Sequence, residues 1–215
     1  MFGTHDLALF IVAGLLLNIT PGPDMIYIAS RTASQGLRAG VAAILGINAG
    51  CLVHTLAAAI GLSALLQTSA QAFTIIKLIG AVYLLYVGVT MLLERRSDST
   101  DHASDGAAVL PLADSKRIFW QGFLTNVLNP KVALFFLAFL PQFIAADSTQ
   151  KPLAFLFLGC LFIFNATFVV LAFAWMVSKA HGRVSRTARV AIWLNRGCGA
   201  LFVGVGINLA LSERT

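Results

Sequence analysis

Long runs of apolar residues are the feature that most constrains how this 215-residue chain can fold. A helix needs about 20 mainly apolar residues to cross the hydrocarbon core of a bilayer. Because lipid cannot satisfy exposed backbone groups, such runs span the membrane as helices. We therefore predict an all-α integral membrane protein with six transmembrane helices. The six segments are Leu7–Ser30, Gly40–Leu66, Phe73–Leu93, Ile118–Ala146, Pro152–Val177 and Trp193–Leu211.

The composition excludes several other classes of protein. Charged residues make up 11% of the chain, hydrophobic residues make up 58%, and the mean hydropathy is +0.84. A soluble domain of this size has too small a core to bury so much apolar surface. The basic residues are scattered singly, which is not the pattern of a nucleic-acid interface. Cys51, Cys160 and Cys198 lie in apolar runs without a C-x-x-C motif, so we expect no metal and no cofactor.

The positions of Lys and Arg predict the orientation of the chain. The loops after the first, third and fifth segments, with their flanks, hold eleven of these residues, beginning with Arg31 and Arg38. The other loops and the termini hold only Lys151 and Arg214. Basic loops face the cytoplasm. We therefore expect a multi-pass membrane protein with both termini outside.

The longest cytoplasmic loop divides the chain into two units. Glu94–Arg117 is polar, acidic and rich in small residues, which is typical of a flexible linker. We predict a first three-helix repeat in residues 1–93, a linker in 94–117 and a second repeat in 118–215, together forming one membrane domain.

The two units resemble each other in sequence. Gly14–Ile19 aligns without gaps on Gly122–Val127, and Lys77–Tyr83 aligns on Arg196–Phe202. The second and fifth segments show no clear register. Because three spans are an odd number, the two units have opposite orientations in the membrane. Inverted repeats of this kind are typical of secondary transporters.

Proline interrupts the first and fourth segments at matching places. Thr20-Pro21 and Asn129-Pro130 each place a residue that caps helices before a proline suited to the first helical turn. The run Pro21-Gly22-Pro23 reinforces the first interruption. These patterns predict helices that stop and restart in mid-membrane, where the new N-terminus attracts an anion such as a carboxylate. The alternative is two kinked but continuous helices.

Polar residues collect at the depth of the two breaks. Ionisable groups in hydrocarbon usually face a cavity, although a single Asn or His more often joins two helices. Asp24 lies about two turns beyond Asn18, and several such residues at one depth favour a site. We predict proton exchange at Asp24 and His54. We predict substrate contacts from Asn18, Thr20, Pro21, Gly22, Asn126, Asn129, Pro130, Lys131 and Asn165.

The second segment carries a stripe of small residues. Ala42, Gly46, Gly50 and His54 are spaced by four, so they share one helix face. Gly46 and Gly50 allow close helix packing, which places His54 against a neighbouring helix. His54 either carries a proton near neutral pH or stays neutral with a helix partner. Lys77 is expected to extend toward the membrane surface.

The interrupted segments and the third segment resemble a known family. Asn18-x-x-Pro21-Gly22-Pro23-Asp24, Lys77-x-x-Gly80-Ala81-x-Tyr83-Leu84 and Gly122-x-x-x-Asn126-x-x-Asn129-Pro130-Lys131 resemble signatures of the LysE/RhtB amino-acid exporter superfamily. The resemblance covers the whole chain. It implies a bacterial inner-membrane exporter of small amino acids driven by the proton gradient. The first motif is more similar to the threonine, homoserine and homoserine-lactone branch than to the lysine/arginine branch.

The residues and the resemblance together predict a proton antiporter. A zwitterion would place its carboxylate on Thr20–Gly22 and Asn129–Lys131, with hydrogen bonds from Asn18 and Asn126. Asp24 would attract the ammonium group or exchange a proton, and it could pair with Lys131. We expect the partners to be an amino-acid substrate, protons and the lipid bilayer, without nucleic acid. The small-residue faces suit packing within the chain or in a homodimer.

Three alternatives remain open at this stage. One is a lysine/arginine-type exporter of the same superfamily. Another is an intramembrane enzyme that uses His54 and Asp24 as an acid/base pair, although the sequence contains no G-x-S-x-G or H-E-x-x-H motif. The third is a passive channel, which the absence of a charged ring disfavours.

Overall fold

The computed structural model of the chain describes two continuous parts. These are residues 1–68 except Pro21 and residues 112–179 except Ala146. Single positions between 75 and 93 and between 200 and 207 are also described. Lys77, residues 94–111 of the predicted linker and most of the third and sixth predicted spans lie outside the described residues.

The described parts of the chain form helices. A π-helical segment, Ala58–Leu62, joins the helix Leu37–Ala57 to the helix Ser63–Thr68. A 3-10 turn, Leu140–Phe143, follows the helix Pro130–Ala138. The helices are α1 (Leu7–Ile19), α2 (Pro23–Gln35), α3 (Leu37–Ala57), α4 (Ser63–Thr68), α5 (Ser115–Val127), α6 (Pro130–Ala138) and α7 (Lys151–Lys179).

Two helices and two bent helix pairs have the length and apolar character of membrane spans. Leu37–Leu65 and Lys151–Lys179 each contain 29 residues. The α1–α2 pair bends by 54° and the pair formed by α5 and Pro130–Phe143 bends by 51°. The prediction that the first and fourth segments are broken is therefore confirmed. Within the described residues the spans number two, or four when each bent pair counts as one.

The two breaks differ in how the second helix begins. At the second break, Asn129 caps α6 and Pro130 occupies its first turn, as predicted. At the first break, the prediction that Thr20 caps the new helix is wrong, because α2 begins at Pro23 with Gly22 as its N-cap. Proline disfavours helical geometry in the residue before it, and Gly22 is accordingly extended. Thr20 instead ends α1.

The start of α5 also departs from the predicted boundary. The helix begins at Ser115, before the predicted start at Ile118, because the Asp114 side chain accepts a hydrogen bond of 3.0 Å from the Arg117 amide. Arg31, predicted to lie in a loop, is buried within α2. It donates hydrogen bonds to Gln35 and Gln121, which offset part of its loss of hydration.

Small residues allow α3 and α5 to pack backbone against backbone. A Cβ atom on Gly46 would collide with the Phe119 carbonyl group, and one on Gly50 would lie 2.9 Å from the Phe123 oxygen. From the other side, a Cβ on Gly122 would lie 2.7 Å from the Ala43 oxygen. The predicted close packing of the Gly46–Gly50 face is confirmed, and its partner is α5.

Phenylalanine side chains join α1, α6 and α7 on the other side of the molecule. Phe10 and Phe139 are fully buried, and Phe135 packs against Phe139 with ring centroids 4.8 Å apart. The ring centroid of Phe162 on α7 lies 4.9 Å from that of Phe135. The exposed phenylalanines of α7, such as Phe164, are on the face available to lipid.

Contacts at the two ends show that the bent pairs run antiparallel. Beside the start of α1, the His5 amide donates to the Phe143 carbonyl at 3.0 Å. At the opposite end of this pair, the Gln35 side chain donates to the Ala113 carbonyl at 2.8 Å, just before α5. The first pair therefore starts where the second pair ends, as an inverted repeat requires.

Gly46→Ala tests the close packing of α3 on α5. We expect the substitution to lower the free energy of unfolding by about 1–3 kcal/mol, because the new methyl group forces the two backbones apart. Gly61→Ala in the same long helix is the matched control, since a Cβ atom there would have nothing within 4 Å. Thermal unfolding of purified protein in detergent measures both, and equal stability of the two variants would contradict this account.

Candidate functional site

The two helix breaks face a common cavity of about 50 Å³. A water molecule needs about 10–15 Å³ measured in this way, so the cavity has room for a few waters or for the polar head of a small molecule. Polar residues from both breaks line it together with apolar residues from α3 and α7. The lining consists of Leu17, Asn18, Thr20, Gly22, Asp24, Met25, Ile47, Asn48, Cys51, Asn126, Asn129, Lys131, Val132, Phe162, Ala166 and Val170.

The first break contributes the end of α1. The Thr20 hydroxyl donates a 2.8 Å hydrogen bond back to the Leu16 carbonyl, which also accepts from the Thr20 amide at 3.1 Å. A threonine hydroxyl commonly forms this bond to the carbonyl four residues earlier. Two residues earlier, the side-chain nitrogen of Asn18 is buried and has no hydrogen-bond partner among the described residues.

The second break is held together by two buried asparagines. The Asn129 side-chain oxygen accepts a 3.0 Å hydrogen bond from the Lys131 amide, which caps α6. Asn126, in the last turn of α5, is 1% exposed, and Asn129 is 4% exposed. The Asn129 amide also donates a 2.9 Å hydrogen bond to the Asn126 carbonyl, so these two residues hold the chain at the break.

One hydrogen bond joins the two breaks directly. The Asn126 side chain donates to the Asp24 carboxylate at 2.8 Å, although the two residues are far apart in sequence. The Asn129 side chain lies beside the same carboxylate. The second Asp24 oxygen, Oδ1, and the Asn126 oxygen are buried without a hydrogen-bond partner in the described structure. These acceptors are suited to a ligand that carries N–H groups.

Lys131 reaches from the second break to the first. Its ammonium group donates hydrogen bonds of 3.1 Å to the carbonyls of Leu17 and Thr20. It also passes close to Gly22, where a Cβ atom would lie 3.6 Å from Nζ. The structure thus gives Lys131 and Asp24 different hydrogen-bond partners, and their direct pairing stays a prediction.

His54 joins α3 to the second break. Its Nε2 atom lies 3.1 Å from the Asn126 carbonyl oxygen. Since a carbonyl only accepts, this nitrogen carries the proton. The ring also lies 5.8 Å from that of Phe136. His54 therefore faces a packed neighbour, as the small-residue stripe predicts, and it contacts the break from outside the residues that line the cavity.

The remaining predicted site residues fall in different places. Thr20, Gly22 and Lys131 line the cavity with the residues described above, whereas Pro130 and Asn165 are not among its described lining. Asn165 is half-buried on α7. Pro21 lies outside the described residues.

Sequence reasoning missed the apolar side of the cavity. Phe162, Ala166 and Val170 on α7 are spaced by four and form one buried face. This spacing is visible in the sequence, but it does not reveal whether the face meets a cavity or another helix. Asn48 was also missed, and its side chain donates to the Thr167 hydroxyl at 2.9 Å, which joins α3 to α7.

The site combines groups of opposite character over a short distance. A carboxylate oxygen and an amide oxygen can accept N–H groups, while the Asn18 amide can donate to an anion. Buried groups of this kind are costly unless a partner satisfies them. The arrangement is therefore suited to a small zwitterion with an ammonium group at one end and a carboxylate at the other.

Asn129→Ala tests the cap at the second break. We expect it to destabilise the start of α6 by about 1 kcal/mol and to speed hydrogen exchange at the Lys131 amide about fivefold. Asp114→Ala is the matched control, because it removes the cap of α5 away from the cavity. It should speed exchange at Arg117 and leave Lys131 unchanged. Unaltered exchange at Lys131 in the Asn129 variant would contradict the assigned cap.

Comparison with known proteins places this geometry in context. A family model described as LysE type translocator matches residues 15–213. A membrane protein of Vibrio cholerae described as uncharacterized is 30% identical over 97% of this chain and 98% of its own length. The threonine efflux protein of Escherichia coli K12 is 29% identical over 91% of this chain and 92% of its own. The leucine efflux protein of Enterobacter sp. 638 is 28% identical over 97% of both chains. No solved structure matches.

Proposed function

Because the chain belongs to the LysE-type translocator family, we propose that it exports small neutral amino acids or close derivatives by proton antiport. It is a multi-pass membrane protein and a transporter rather than an enzyme. The alternative of an intramembrane enzyme with His54 and Asp24 as its acid/base pair is therefore wrong. The observation that carries the proposal is the cavity at the two helix breaks, with buried acceptors and a buried donor for a zwitterion.

The proposed substrate pose follows the character of the lining groups. The substrate ammonium lies against Asp24 Oδ1 and the Asn126 oxygen, and the carboxylate accepts from the Asn18 amide near the positive charge of Lys131. The sequence suggested that the substrate carboxylate binds backbone amides at the start of each second helix. Because the Lys131 amide already donates to the Asn129 side chain, side chains take over part of this role in the proposed pose. The opposite charges of the zwitterion thereby meet groups of opposite sign in a site that excludes most water.

The apolar wall of the cavity supports a neutral substrate. Phe162 and Val170 on α7, with Ile47 on α3 and Val132 on α6, would contact the substrate side chain. Asp24 is the one carboxylate among the described lining residues, and the pose uses it for the ammonium group. A lysine or arginine side chain would lack an anionic partner on this wall. Relatives named for efflux of threonine and leucine support the same class.

Proton coupling is proposed to arise from competition at Asp24. A carboxylate that binds the substrate ammonium cannot be protonated at the same time, so proton entry favours substrate release. Two inverted three-helix repeats in an inner membrane, with both termini outside, would expose the site alternately to the two sides. His54 would serve as a second proton-exchanging group beside the break, since histidine changes charge near neutral pH. The proposal also includes packing of two copies of the chain as a homodimer.

Purified protein in liposomes tests the proposed function. We expect an imposed pH gradient to drive threonine or leucine up its concentration gradient, whereas arginine should be transported far more slowly. A passive channel cannot concentrate a solute. Movement that only equalises the two sides would therefore contradict antiport, and preferred transport of arginine or lysine would contradict the neutral substrate class.

Asp24→Asn tests the role of the carboxylate. We expect gradient-driven export to fall at least about tenfold, the equivalent of losing one hydrogen bond to a charged group. The residual export should depend less on pH, because of the two proposed proton-exchanging groups only His54 is left. Asp147→Asn, at an exposed position outside the helices, is the control and should export normally. Full export with its pH dependence intact in the Asp24 variant would refute the proposed coupling.

A further inference from the structure

The C-terminal end of α1 lies inside the protein, where its carbonyl groups need partners. The last carbonyls of a helix have no partner within the helix, and they carry the negative end of its dipole. Leu16 is satisfied by Thr20, as described above. The carbonyls of Leu17 and Thr20 in the same last turn both accept from the ammonium group of Lys131 at 3.1 Å.

In some transporters with broken membrane helices, a small monovalent cation satisfies carbonyl groups of this kind. Unwound carbonyls and the C-terminal ends of half-helices coordinate sodium in several transporter folds. In this chain a side-chain ammonium occupies the corresponding place. It brings a positive charge and N–H donors to the carbonyls, so it meets the same electrostatic demand as a bound ion.

The ammonium group is tethered to the opposite half of the chain. Lys131 lies in the first turn of α6, where the Asn129 cap fixes its backbone. Its side chain crosses to the end of α1 and passes beside Gly22. Each contact of Lys131 with the α1 carbonyls therefore also holds the second break against the first.

We propose that the Lys131 ammonium is a built-in counter-cation for the first helix break, in place of a bound sodium or similar ion. The wild-type protein then needs no small cation at this position. Removing the side chain while keeping the carbonyls creates a binding site for a small monovalent cation. This inference rests on the geometry of the break and does not depend on the proposed substrate.

Lys151 supplies a matched comparison within the same structure. Its ammonium group also donates to a backbone carbonyl, that of Ser148, at 2.9 Å. Lys151 is about as buried as the polar residues of the breaks, at 9% exposure. It lies at the start of α7, however, away from both breaks and outside the cavity lining. Lys151→Ala therefore removes the same kind of bond without opening a site at a broken helix.

The test measures thermal unfolding of purified Lys131→Ala protein in detergent at constant ionic strength. Choline chloride is the reference, and sodium chloride and methylammonium chloride are the probes. We expect sodium or methylammonium to raise the unfolding temperature of this variant by about 3–6 °C over choline. The wild-type protein and Lys151→Ala should shift by less than about 1 °C, because neither has the open site.

An absence of any cation-specific shift in Lys131→Ala would overturn the proposal, as would an equal shift in the wild-type protein. If Lys131→Ala cannot be purified, Lys131→Arg and Lys131→Met replace it. The arginine variant keeps a charged donor and should be recovered in a folded form, whereas the methionine variant should not. Equal recovery of both would also overturn the proposal. Because the readout is stability, failure of the proposed function leaves this result unaffected.

Discussion

Polar backbone groups within a membrane need hydrogen-bond partners, and in the described part of the chain the two helix breaks create such a need. A continuous helix satisfies its own backbone, but each break leaves carbonyls at one end and amides at the next. Side chains from the other half of the chain supply the partners. Lys131 serves the end of α1, and His54 serves the Asn126 carbonyl at the end of α5. The site is therefore also one of the places where the two halves of the chain are joined.

The same arrangement explains why the α3–α5 contact matters to the site. Gly46 and Gly50 let α3 approach α5 so closely that His54 reaches the second break. A Cβ on Gly50 would lie 2.8 Å from that of Asn126, whose amide donates to Asp24. Packing, helix capping and the position of the carboxylate are thus coupled. A change in any of them is transmitted to the cavity through a few contacts between backbones and amides.

Local sequence patterns predicted two structural features around the cavity. Proline after a capping residue predicted the break at Asn129, and spacing by four predicted that His54 faces a neighbouring helix. The same reasoning failed at Thr20, because two prolines are close together there and the pattern does not reveal which one begins α2. It also placed Arg31 in a loop, since the sequence does not show that Gln121 of a distant helix will bind it.

The sequence by itself determined that this chain is a helical membrane protein with two matched breaks, because these properties depend on apolar length and on the backbone chemistry of proline. The tertiary structure decided which partners the broken ends find. Asp24 meets Asn126, and Lys131 meets the carbonyls of Leu17 and Thr20. These contacts join residues about a hundred positions apart. They depend on which helices pack against one another, which spacing along the chain does not encode.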